Sequence, residues 1–206
     1  MGTVSHQTVR AGITVSVDGY VTGPDDGPGR GLGRGGERLH HWVFGGPWHY
    51  DEPHTPGEGM HPVDAAVLAD ATAGVGAGLI GRGMFDAAGG WGGTNPFGVP
   101  MVVLTRRPAP PVEGFTFVTG YADALAAARR LAGPGAVSIG GGADLVRQAL
   151  RAGDVDELGL STAPVVLGAG KRLFEGFDRD LDLEVLDVRA SPYATHVRYR
   201  VVRGGE

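Results

Sequence analysis

The sequence predicts a three-layer α/β fold in which a mostly parallel β-sheet lies between two layers of helices. Short apolar runs rich in β-branched residues alternate with helical patterns along most of the chain. Crossover βαβ units produce this order. Near the C-terminus, two strand patterns follow each other directly, at residues 181–189 and 193–202, and predict an antiparallel hairpin at one edge of the sheet.

Each element follows from its local pattern. Strands are predicted where β-branched and apolar residues alternate or cluster, and helices where apolar residues recur every three or four positions. Segments rich in glycine and proline are predicted loops. In chain order we expect a strand at 9–17, loops at 23–36 and 45–62 around a short helix at 39–44, a helix at 63–73, strands at 79–80, 100–104 and 115–118, a helix at 121–131, a strand at 136–139, a helix at 143–151, and a long strand at 157–167 with a kink at Pro164.

Composition limits the possible functions. The chain has 206 residues, enough for a buried core, and we expect one domain over residues 1–206. No apolar run approaches the roughly 18 residues of a membrane span, and residues 1–10 lack a secretory leader. Cysteine is absent, which excludes disulfides and thiolate catalysis, and the formal net charge of −5 argues against general nucleic-acid binding. We therefore expect a cytoplasmic protein that acts on a small molecule, without nucleic-acid or membrane partners.

Gly140, Gly141 and Gly142 stand between a predicted strand and a predicted helix. Such a turn brings backbone N–H groups and the positive end of a helix to one point, which favours a bound phosphate. The alternative is an ordinary tight turn, because the chain contains 38 glycines. Residues 76–81 also match the dinucleotide pattern G-x-G-x-x-G. However, this pattern must follow a strand and open a helix, whereas here a helix precedes it and a strand runs through it.

Basic residues follow two other predicted strands. Arg82 comes after the strand at 79–80, and Thr105 and Arg106 come after the strand at 100–104. Ligands of open α/β sheets gather at the carboxyl ends of strands, and guanidinium groups match phosphate oxygens. These residues predict a site for a phosphate monoester, with a solvated basic loop as the alternative at each position.

Candidate proton donors lie near the first strand and the first helix. Asp18 belongs to an Asp-Gly pair, which also forms ordinary turns. Glu37, His40 and His41 lie on or before the short helix, and histidine can exchange a proton near neutral pH. A solvated helix face is the alternative for each. The loop at 45–62 is expected to cover the substrate; its acidic and histidine residues lack the spacing of metal ligands, so we predict no metal site at His49, Asp51, Glu52, His54 and His61.

Several short motifs occur in a fixed order along the chain. They are Val15-Ser16-Val17-Asp18-Gly19-Tyr20-Val21, Leu39-His40-His41-Trp42-Val43-Phe44, Gly81-Arg82-Gly83-Met84-Phe85-Asp86, Val103-Leu104-Thr105-Arg106-Arg107-Pro108, Gly140-Gly141-Gly142, and Ser161-Thr162-Ala163-Pro164-Val165-Val166-Leu167-Gly168-Ala169-Gly170. This set resembles the dihydrofolate reductase-like superfamily over roughly residues 9–202. Within it, the chain is similar to stand-alone proteins related to the reductase domain of the bifunctional riboflavin-biosynthesis deaminase-reductase.

The resemblance implies an eight- or nine-stranded mixed sheet with NADPH bound across the strand ends. It implies that the Thr14 backbone contacts the nicotinamide carboxamide and that Val21 and Thr22 contact the nicotinamide ribose. It implies that Gly81, Arg82 and Met84 contact the pyrophosphate and the adenosine phosphate, and that Thr105 and Arg106 contact the 2′-phosphate. The implied contacts of the pyrophosphate also include Gly140, Gly141, Gly142, Ala143, Asp144 and Leu145. The implied activity is NADPH-dependent reduction of a small heterocyclic substrate, similar to 5-amino-6-(5-phosphoribosylamino)uracil. A homodimer is also implied.

The chain departs from the family pattern at several positions. Dihydrofolate reductases carry a carboxylate in their first helix, and the matching place here falls near Leu39-His40, with Glu37 as the nearest acid; this disfavours dihydrofolate as the substrate. Met84 stands where a phosphate-binding threonine is usual, and a deaminase domain with zinc ligands is absent. The alternatives are an NADP-binding protein without turnover and a reductase of an unrelated small molecule.

Overall fold

The structure is a computed structural model that describes residues 6–52 and 55–203; His54 lies outside these ranges. It contains helices α1 (His41–Phe44), α2 (Pro62–Thr72), α3 (Arg82–Ala87), α4 (Tyr121–Ala132) and α5 (Ala143–Ala152), and strands β1 (Val9–Ser16), β2 (Tyr20–Thr22), β3 (Val75–Gly81), β4 (Met101–Leu104), β5 (Phe115–Val118), β6 (Ala136–Ile139), β7 (Glu157–Ala163), β8 (Lys171–Arg172), β9 (Leu183–Ala190) and β10 (Thr195–Val201).

The central sheet has eight strands in the order β5-β4-β3-β6-β1-β7-β10-β9. The first six of these strands are parallel to one another. Strand β10 runs antiparallel to both β7 and β9, so the chain closes with a hairpin at one edge. This confirms the predicted mixed, mostly parallel sheet with a C-terminal antiparallel hairpin. Strands β2 and β8 form a separate antiparallel pair.

Apolar residues on the two faces of the sheet build two separate clusters. On one face, Ala11 and Leu79 pack with Leu125 of α4 and Leu145 of α5 in the larger cluster. On the other face, Ile80 of β3 packs with the Phe85 ring of α3 and residues of β4 and β5. Burial of each large side chain contributes about 1.5–3 kcal/mol. The sheet is therefore covered on both sides, in the predicted three layers.

The parallel arrangement brings the carboxyl ends of six strands to the same side of the sheet. Strands β1, β3, β4, β5, β6 and β7 all end there, since neighbouring strands run in the same direction. The residues that the sequence analysis selected as candidate phosphate ligands directly follow these strand ends. This edge is therefore the place where a ligand would meet side chains from several elements.

Three predicted elements differ from the observed ones. The strand predicted at 157–167 ends at Ala163, because Pro164 has no N–H group to continue the ladder. Strand β3 begins at Val75 rather than at residue 79, because its glycines and alanine carry no strand signal. The short helix predicted at 39–44 divides into a 3₁₀ turn, Gly36–His40, and the single turn of α1.

The glycines of the 76–81 pattern serve packing. A Cβ atom on Gly76 would lie 2.2 Å from the backbone oxygen of Ala132, at the end of α4. Only a residue without a side chain allows β3 and the end of α4 to approach this closely. The segment therefore forms a packing contact between a strand and a helix. This agrees with the sequence analysis, in which the segment lacks the strand before it and the helix after it that a dinucleotide fingerprint needs.

We predict that Gly76→Ala lowers the free energy of unfolding by about 1–3 kcal/mol, because the added methyl group meets backbone atoms that cannot move independently. Gly12→Ala is the matched control, since a Cβ atom there has no neighbour within 4 Å. The control should stay within about 0.5 kcal/mol of the wild type. Urea unfolding of both variants makes the comparison; equal stability of the two variants would contradict the packing role of Gly76.

Candidate active site

The triple-glycine turn is hydrogen bonded to the end of β3. The Gly81 N–H donates to the Gly141 carbonyl at 2.9 Å, and the Gly140 N–H donates to the Leu79 carbonyl at 3.1 Å. Gly141 has a φ of +118°, a conformation that favours glycine. The predicted strand-turn-helix geometry is present, and it brings Gly140, Gly141 and Gly142 directly beside Gly81.

Helix α5 begins at Ala143, and its N-cap residue, Gly142, provides no side-chain cap. The Leu145 N–H bonds to the Gly142 carbonyl at 3.1 Å, whereas the N–H groups of Ala143 and Asp144 belong to the first turn, which has no intrahelical acceptor. The Asp144 carboxylate pairs with Arg147 of the same helix, which offsets its negative charge near this end. Two backbone donors and the positive end of a helix are therefore available for an anion.

Arg82, Thr105 and Asp86 form a polar group next to this turn. The Arg82 guanidinium lies 2.6 Å from an Asp86 oxygen, and 3.4 Å from the Thr105 hydroxyl. Arg107 bonds to the other Asp86 oxygen at 2.6 Å. Sequence reasoning missed Asp86, although its position four residues after Arg82 on a helix is a usual ion-pair spacing.

Arg106 is exposed and has no ion-pair partner in the described part of the chain. Its neighbour Thr105 is 5% exposed, and the Thr105 hydroxyl bonds to both the N–H and the carbonyl of Arg107. Arg106 is thus a cation that can pair with an incoming phosphate without first breaking an internal salt bridge. Arg82 and Arg107 would have to exchange Asp86 for such a phosphate.

Thr14 and Thr22 occupy the positions that the resemblance assigns to the nicotinamide end. Thr14 is 7% exposed, and its hydroxyl accepts a hydrogen bond from the Trp42 indole at 3.1 Å. The Thr22 hydroxyl is buried and has no partner within residues 6–52 and 55–203. Val21 is 8% exposed and packs in the larger apolar cluster. The unpaired Thr22 hydroxyl fits a ribose hydroxyl.

Met84 lies close to the glycine turn. A Cβ atom built on Gly141 would be 3.6 Å from the Met84 sulfur and 3.9 Å from the Ile13 side chain. Side chains of β1 and α3 therefore lie beside the glycine turn, and Met84 is the predicted cofactor residue among them. Together, the uncapped helix, the unpaired Arg106 and the unpaired Thr22 hydroxyl fit a phosphorylated dinucleotide.

Asp18 is bound to the loop that follows β7. Its carboxylate accepts hydrogen bonds from Ser16 at 2.6 Å, from the Gly168 N–H at 2.8 Å and from the Leu167 N–H at 3.1 Å. Desolvation raises the pKa of Asp18, but these hydrogen bonds outweigh it and lower the pKa to about 2. Asp18 therefore fixes two loops at the strand ends, and at neutral pH it holds no proton to donate.

Glu37 and His40 lie in the 3₁₀ turn, and His41 is the first residue of α1. Burial lowers the pKa of His40 to about 4, so its ring is neutral at pH 7. Burial also lowers the pKa of His41, and Arg38 adds to this effect while Glu37 opposes it. The Glu37 carbonyl accepts a hydrogen bond from the Trp48 indole at 3.0 Å. The catalytic roles of these residues stay predictions.

A cavity of about 260 Å³ opens beside His41. Its remaining walls are Arg38, Pro164, Val165, Pro192 and Tyr193, which come from the 3₁₀ turn, the segment after β7 and the turn before β10. Among these lining residues, the sequence analysis singled out only His41, as a candidate proton donor. A small ring in this cavity would meet the Arg38 guanidinium, the neutral His41 imidazole and the Tyr193 phenol.

The loop at 45–62 is joined to the loop at 23–36 by aromatic residues. The Trp48 ring contacts Phe44 and Tyr50 at centroid distances of 4.6 and 5.0 Å. The Tyr50 hydroxyl accepts a hydrogen bond from the Leu32 N–H at 2.8 Å, and burial raises the pKa of Tyr50 to about 12. Among residues 6–52 and 55–203, no group of three His, Cys, Asp or Glu residues could hold a metal ion.

Sequence reasoning missed a buried polar network on the helix α2 side of the sheet. Asp64, in the first turn of α2, has no exposed surface and lies 2.8 Å from Nε2 of His196. The other ring nitrogen of His196 lies 2.8 Å from the Ser161 hydroxyl. Leu39 and His40, where the resemblance places the family's first-helix carboxylate, lie in a 3₁₀ turn, whereas Asp64 lies in the first turn of α2.

The comparisons identify the family. Residues 7–197 match the sequence profile described as the RibD C-terminal domain. The chain belongs to the RibD C-terminal domain family. This confirms the resemblance to the reductase domain of the riboflavin-biosynthesis enzyme. No curated protein sequence matches the chain.

Solved structures share the RibD C-terminal fold at low sequence identity. A proposed riboflavin biosynthesis protein from Shewanella sp. PV-4 has a TM-score of 0.68 at 17% identity, with 95% of this chain and 99% of that chain covered. Dihydrofolate reductase from Enterococcus faecalis, complexed with NADP(H) and RAB-propyl, has a TM-score of 0.55 at 18% identity, with 95% and 97% covered. RibD from Acinetobacter baumannii has a TM-score of 0.61 at 16% identity, with 97% of this chain and 59% of that chain covered.

We predict that Asp18 makes stability depend on pH in acid. The folded-state pKa is lowered from 3.8 to about 2, so this contribution is present above pH 3.8 and is lost as the pH falls towards 2. Between about pH 5 and pH 2, the wild type should lose about 1–2 kcal/mol more than Asp18→Asn, allowing for solvent screening.

Urea unfolding across this pH range measures the difference. Asp180→Asn is the control, because Asp180 is exposed and has no hydrogen bond or ion pair in the described structure. The control should follow the wild type at every pH. A pH dependence that survives in Asp18→Asn would show that other carboxylates are responsible.

Proposed function

We propose that the chain is an NADPH-dependent reductase that transfers hydride to a small heterocyclic ring similar to 5-amino-6-(5-phosphoribosylamino)uracil. The observation that carries this proposal is the hydrogen-bonded contact between the Gly140 turn and Gly81. It places the uncapped start of α5 beside Arg82 and, through Arg82, beside Thr105 and Arg106. Membership of the RibD C-terminal domain family supports the same reaction class.

The two phosphate-type sites suit different parts of NADPH. The N–H groups of Ala143 and Asp144 would bind the pyrophosphate at the positive end of α5. Arg106, with Thr105, would bind the 2′-phosphate, because a guanidinium forms paired hydrogen bonds with phosphate oxygens. When bound, the cofactor supplies the hydride, and the protein supplies its position and a dry environment.

The nicotinamide end would lie at β1, beside the Thr14 backbone and the unpaired Thr22 hydroxyl. The substrate ring would occupy the cavity lined by Arg38, His41 and Tyr193. His41 is half-buried there, and its lowered pKa keeps the ring neutral at pH 7. In that state it can accept or relay a proton from water, whereas Asp18 holds its charge in a structural role.

A second candidate function is an NADP-binding protein without turnover. The lowered pKa values of Asp18 and His40 favour a protein without turnover. At neutral pH neither group is in its protonated, acid form, so neither can donate a proton to a substrate. A single domain, a cytoplasmic location, a homodimer and the lack of nucleic-acid partners stay predictions. No helix of the described residues is long and apolar enough to cross a membrane.

Steady-state oxidation of NADPH separates the two functions. We expect oxidation that depends on a uracil-type ring carrying amino substituents, with weaker or no activity towards dihydrofolate. Tight NADPH binding without oxidation by any uracil- or pterin-type ring would favour the binding protein. Failure to bind NADPH would overturn both.

We predict that Arg106→Ala weakens NADPH binding about 10- to 100-fold, since a charge-assisted hydrogen-bonded pair contributes about 1.5–3 kcal/mol. NADH binding should change by less than about twofold, because NADH lacks the 2′-phosphate. Arg130→Ala is the matched control: Arg130 is exposed on α4 and has no ion pair in the described structure. Isothermal titration with both cofactors measures the ratio, and an equal loss for NADPH and NADH would refute the assignment of Arg106.

A further inference from the structure

The edge strand β9 exposes three large apolar side chains. Leu183, Val185 and Val188 are 36%, 57% and 58% exposed. Successive side chains of a regular strand point to opposite faces of the sheet, so residues 185 and 188 of such a strand would lie on opposite faces. Their arrangement therefore depends on how β9 is paired with β10.

A β-bulge in β9 brings the three side chains to one face of the sheet. Val185 is paired with Tyr199 of β10. The next pair along β9 joins Asp187 to Arg198, so Leu186 is an extra residue without a partner in β10. The bulge shifts the alternation by one position. The exposed apolar residues before and after it therefore lie on the same face.

The neighbouring strands continue this apolar face. Val188 is paired with Val197 of β10, and Val197 is paired with Leu160 of β7. Val197, Leu160 and Tyr199 are all partly exposed. We use the name hairpin face for the set Leu160, Leu183, Val185, Val188, Val197 and Tyr199. None of these six side chains carries a charge.

The opposite face of the same strands is closed by ion pairs within the chain. Arg189 of β9 lies 2.7 Å from Asp70 of α2, and Arg200 of β10 lies 2.5 Å from Glu184 of β9. The charged side chains of the hairpin therefore have partners on the α2 side. The apolar side chains of the hairpin face, in contrast, are left partly or largely open by the described residues.

The charge pattern selects the partner of the hairpin face. An uncharged apolar face offers no ionic contact to a nucleic acid or an anionic surface, so its partner must present an equally apolar face. A second copy of the chain presents such a face. Elsewhere two copies repel each other, because the chain has a formal net charge of −5. The hairpin face is thus the place where two copies meet without opposing like charges.

The bulge also determines how the two copies meet. It interrupts the regular ladder of β9, and bulges oppose edge-to-edge pairing of exposed strands. Two sheets can instead pack face to face, about 10 Å apart. Three strands about 4.8 Å apart, over seven residues with a rise of about 3.3 Å each, give a face of about 14 by 23 Å. This size is at the lower end of specific interfaces and predicts a weak, reversible dimer.

We propose that the hairpin face is a homodimerisation surface on which two copies of the chain pack sheet against sheet. This assigns a surface to the homodimer that the resemblance implies. The surface does not depend on the proposed reductase function, because none of its six residues lines the candidate substrate cavity or belongs to the candidate cofactor residues.

Sedimentation equilibrium of the wild type and of Val188→Glu tests the proposal. The wild type should be a reversible dimer with a dissociation constant in the micromolar range. Val188→Glu should raise this constant at least about 100-fold, because an unpaired carboxylate would be buried between two apolar faces. Leu131→Glu is the matched control: Leu131 is 42% exposed on α4, outside the hairpin face, and this variant should dimerise like the wild type.

Two further measurements locate the contact and its chemistry. Val185→Thr/Val188→Thr keeps the shape of both side chains and replaces a methyl group by a hydroxyl group in each; if Val188→Glu does not fold, this variant should weaken the dimer about tenfold. Raising the NaCl concentration from about 0.05 M to about 0.5 M should leave the wild-type dimer unchanged or strengthen it, because salt screens the repulsion between the copies and not their apolar contact.

Three results would overturn the proposal. They are a wild type that is monomeric at about 200 µM, a dimer that dissociates when salt is added, and a dimer that the hairpin-face variants and Leu131→Glu affect equally. A monomeric wild type that binds vesicles of a neutral phospholipid, with binding lost in Val188→Glu, would assign the face to a membrane surface instead. These measurements need neither cofactor nor substrate, so their outcome is independent of the proposed reductase function.

Discussion

The hydrogen bond between the Gly81 N–H and the Gly141 carbonyl is the constraint on which the candidate active site depends. It joins the end of β3 to the start of α5, two elements that the chain separates by α3, β4, β5, α4 and β6. A Cβ atom on Gly81 would lie 3.6 Å from the Gly142 nitrogen, so the two backbone segments are direct neighbours. The contact fixes the separation between the uncapped helix and the Arg82 group, which is what a ligand with two phosphate groups requires.

Local sequence patterns were sufficient to predict this part of the candidate site, the glycine turn and the residues after β3 and β4. The triple glycine lies between clear strand and helix patterns, and Thr105 directly follows a run of apolar β-branched residues. Because parallel strands end at one edge, residues far apart in sequence could be placed together before the structure was known. Strand β3 was harder to predict, because Gly76 and Gly78 have no side chains that would indicate a strand. Close packing against neighbouring residues requires glycine at both positions.

The buried Asp64–His196 pair and the role of Asp18 could not be predicted from local patterns. Asp64 and His196 are 132 residues apart, and their contact depends on how α2 lies against β7 and β10. An aspartate in the first turn of a helix is usually an exposed partner of the helix dipole, so nothing in the sequence marks Asp64 as buried. For Asp18, the Asp-Gly pair could be recognised in the sequence. Its three hydrogen bonds to Ser16 and to the loop after β7 could not be predicted.

The proposed function requires that NADPH binds across the ends of β1, β3, β4 and β6, and amide hydrogen exchange with and without NADPH tests this most directly. We predict slower exchange on cofactor addition for the amides of residues 81–84, 105–107 and 140–145, with no change in the hairpin of β9 and β10. Protection confined to other segments, or no protection at saturating NADPH, would contradict it.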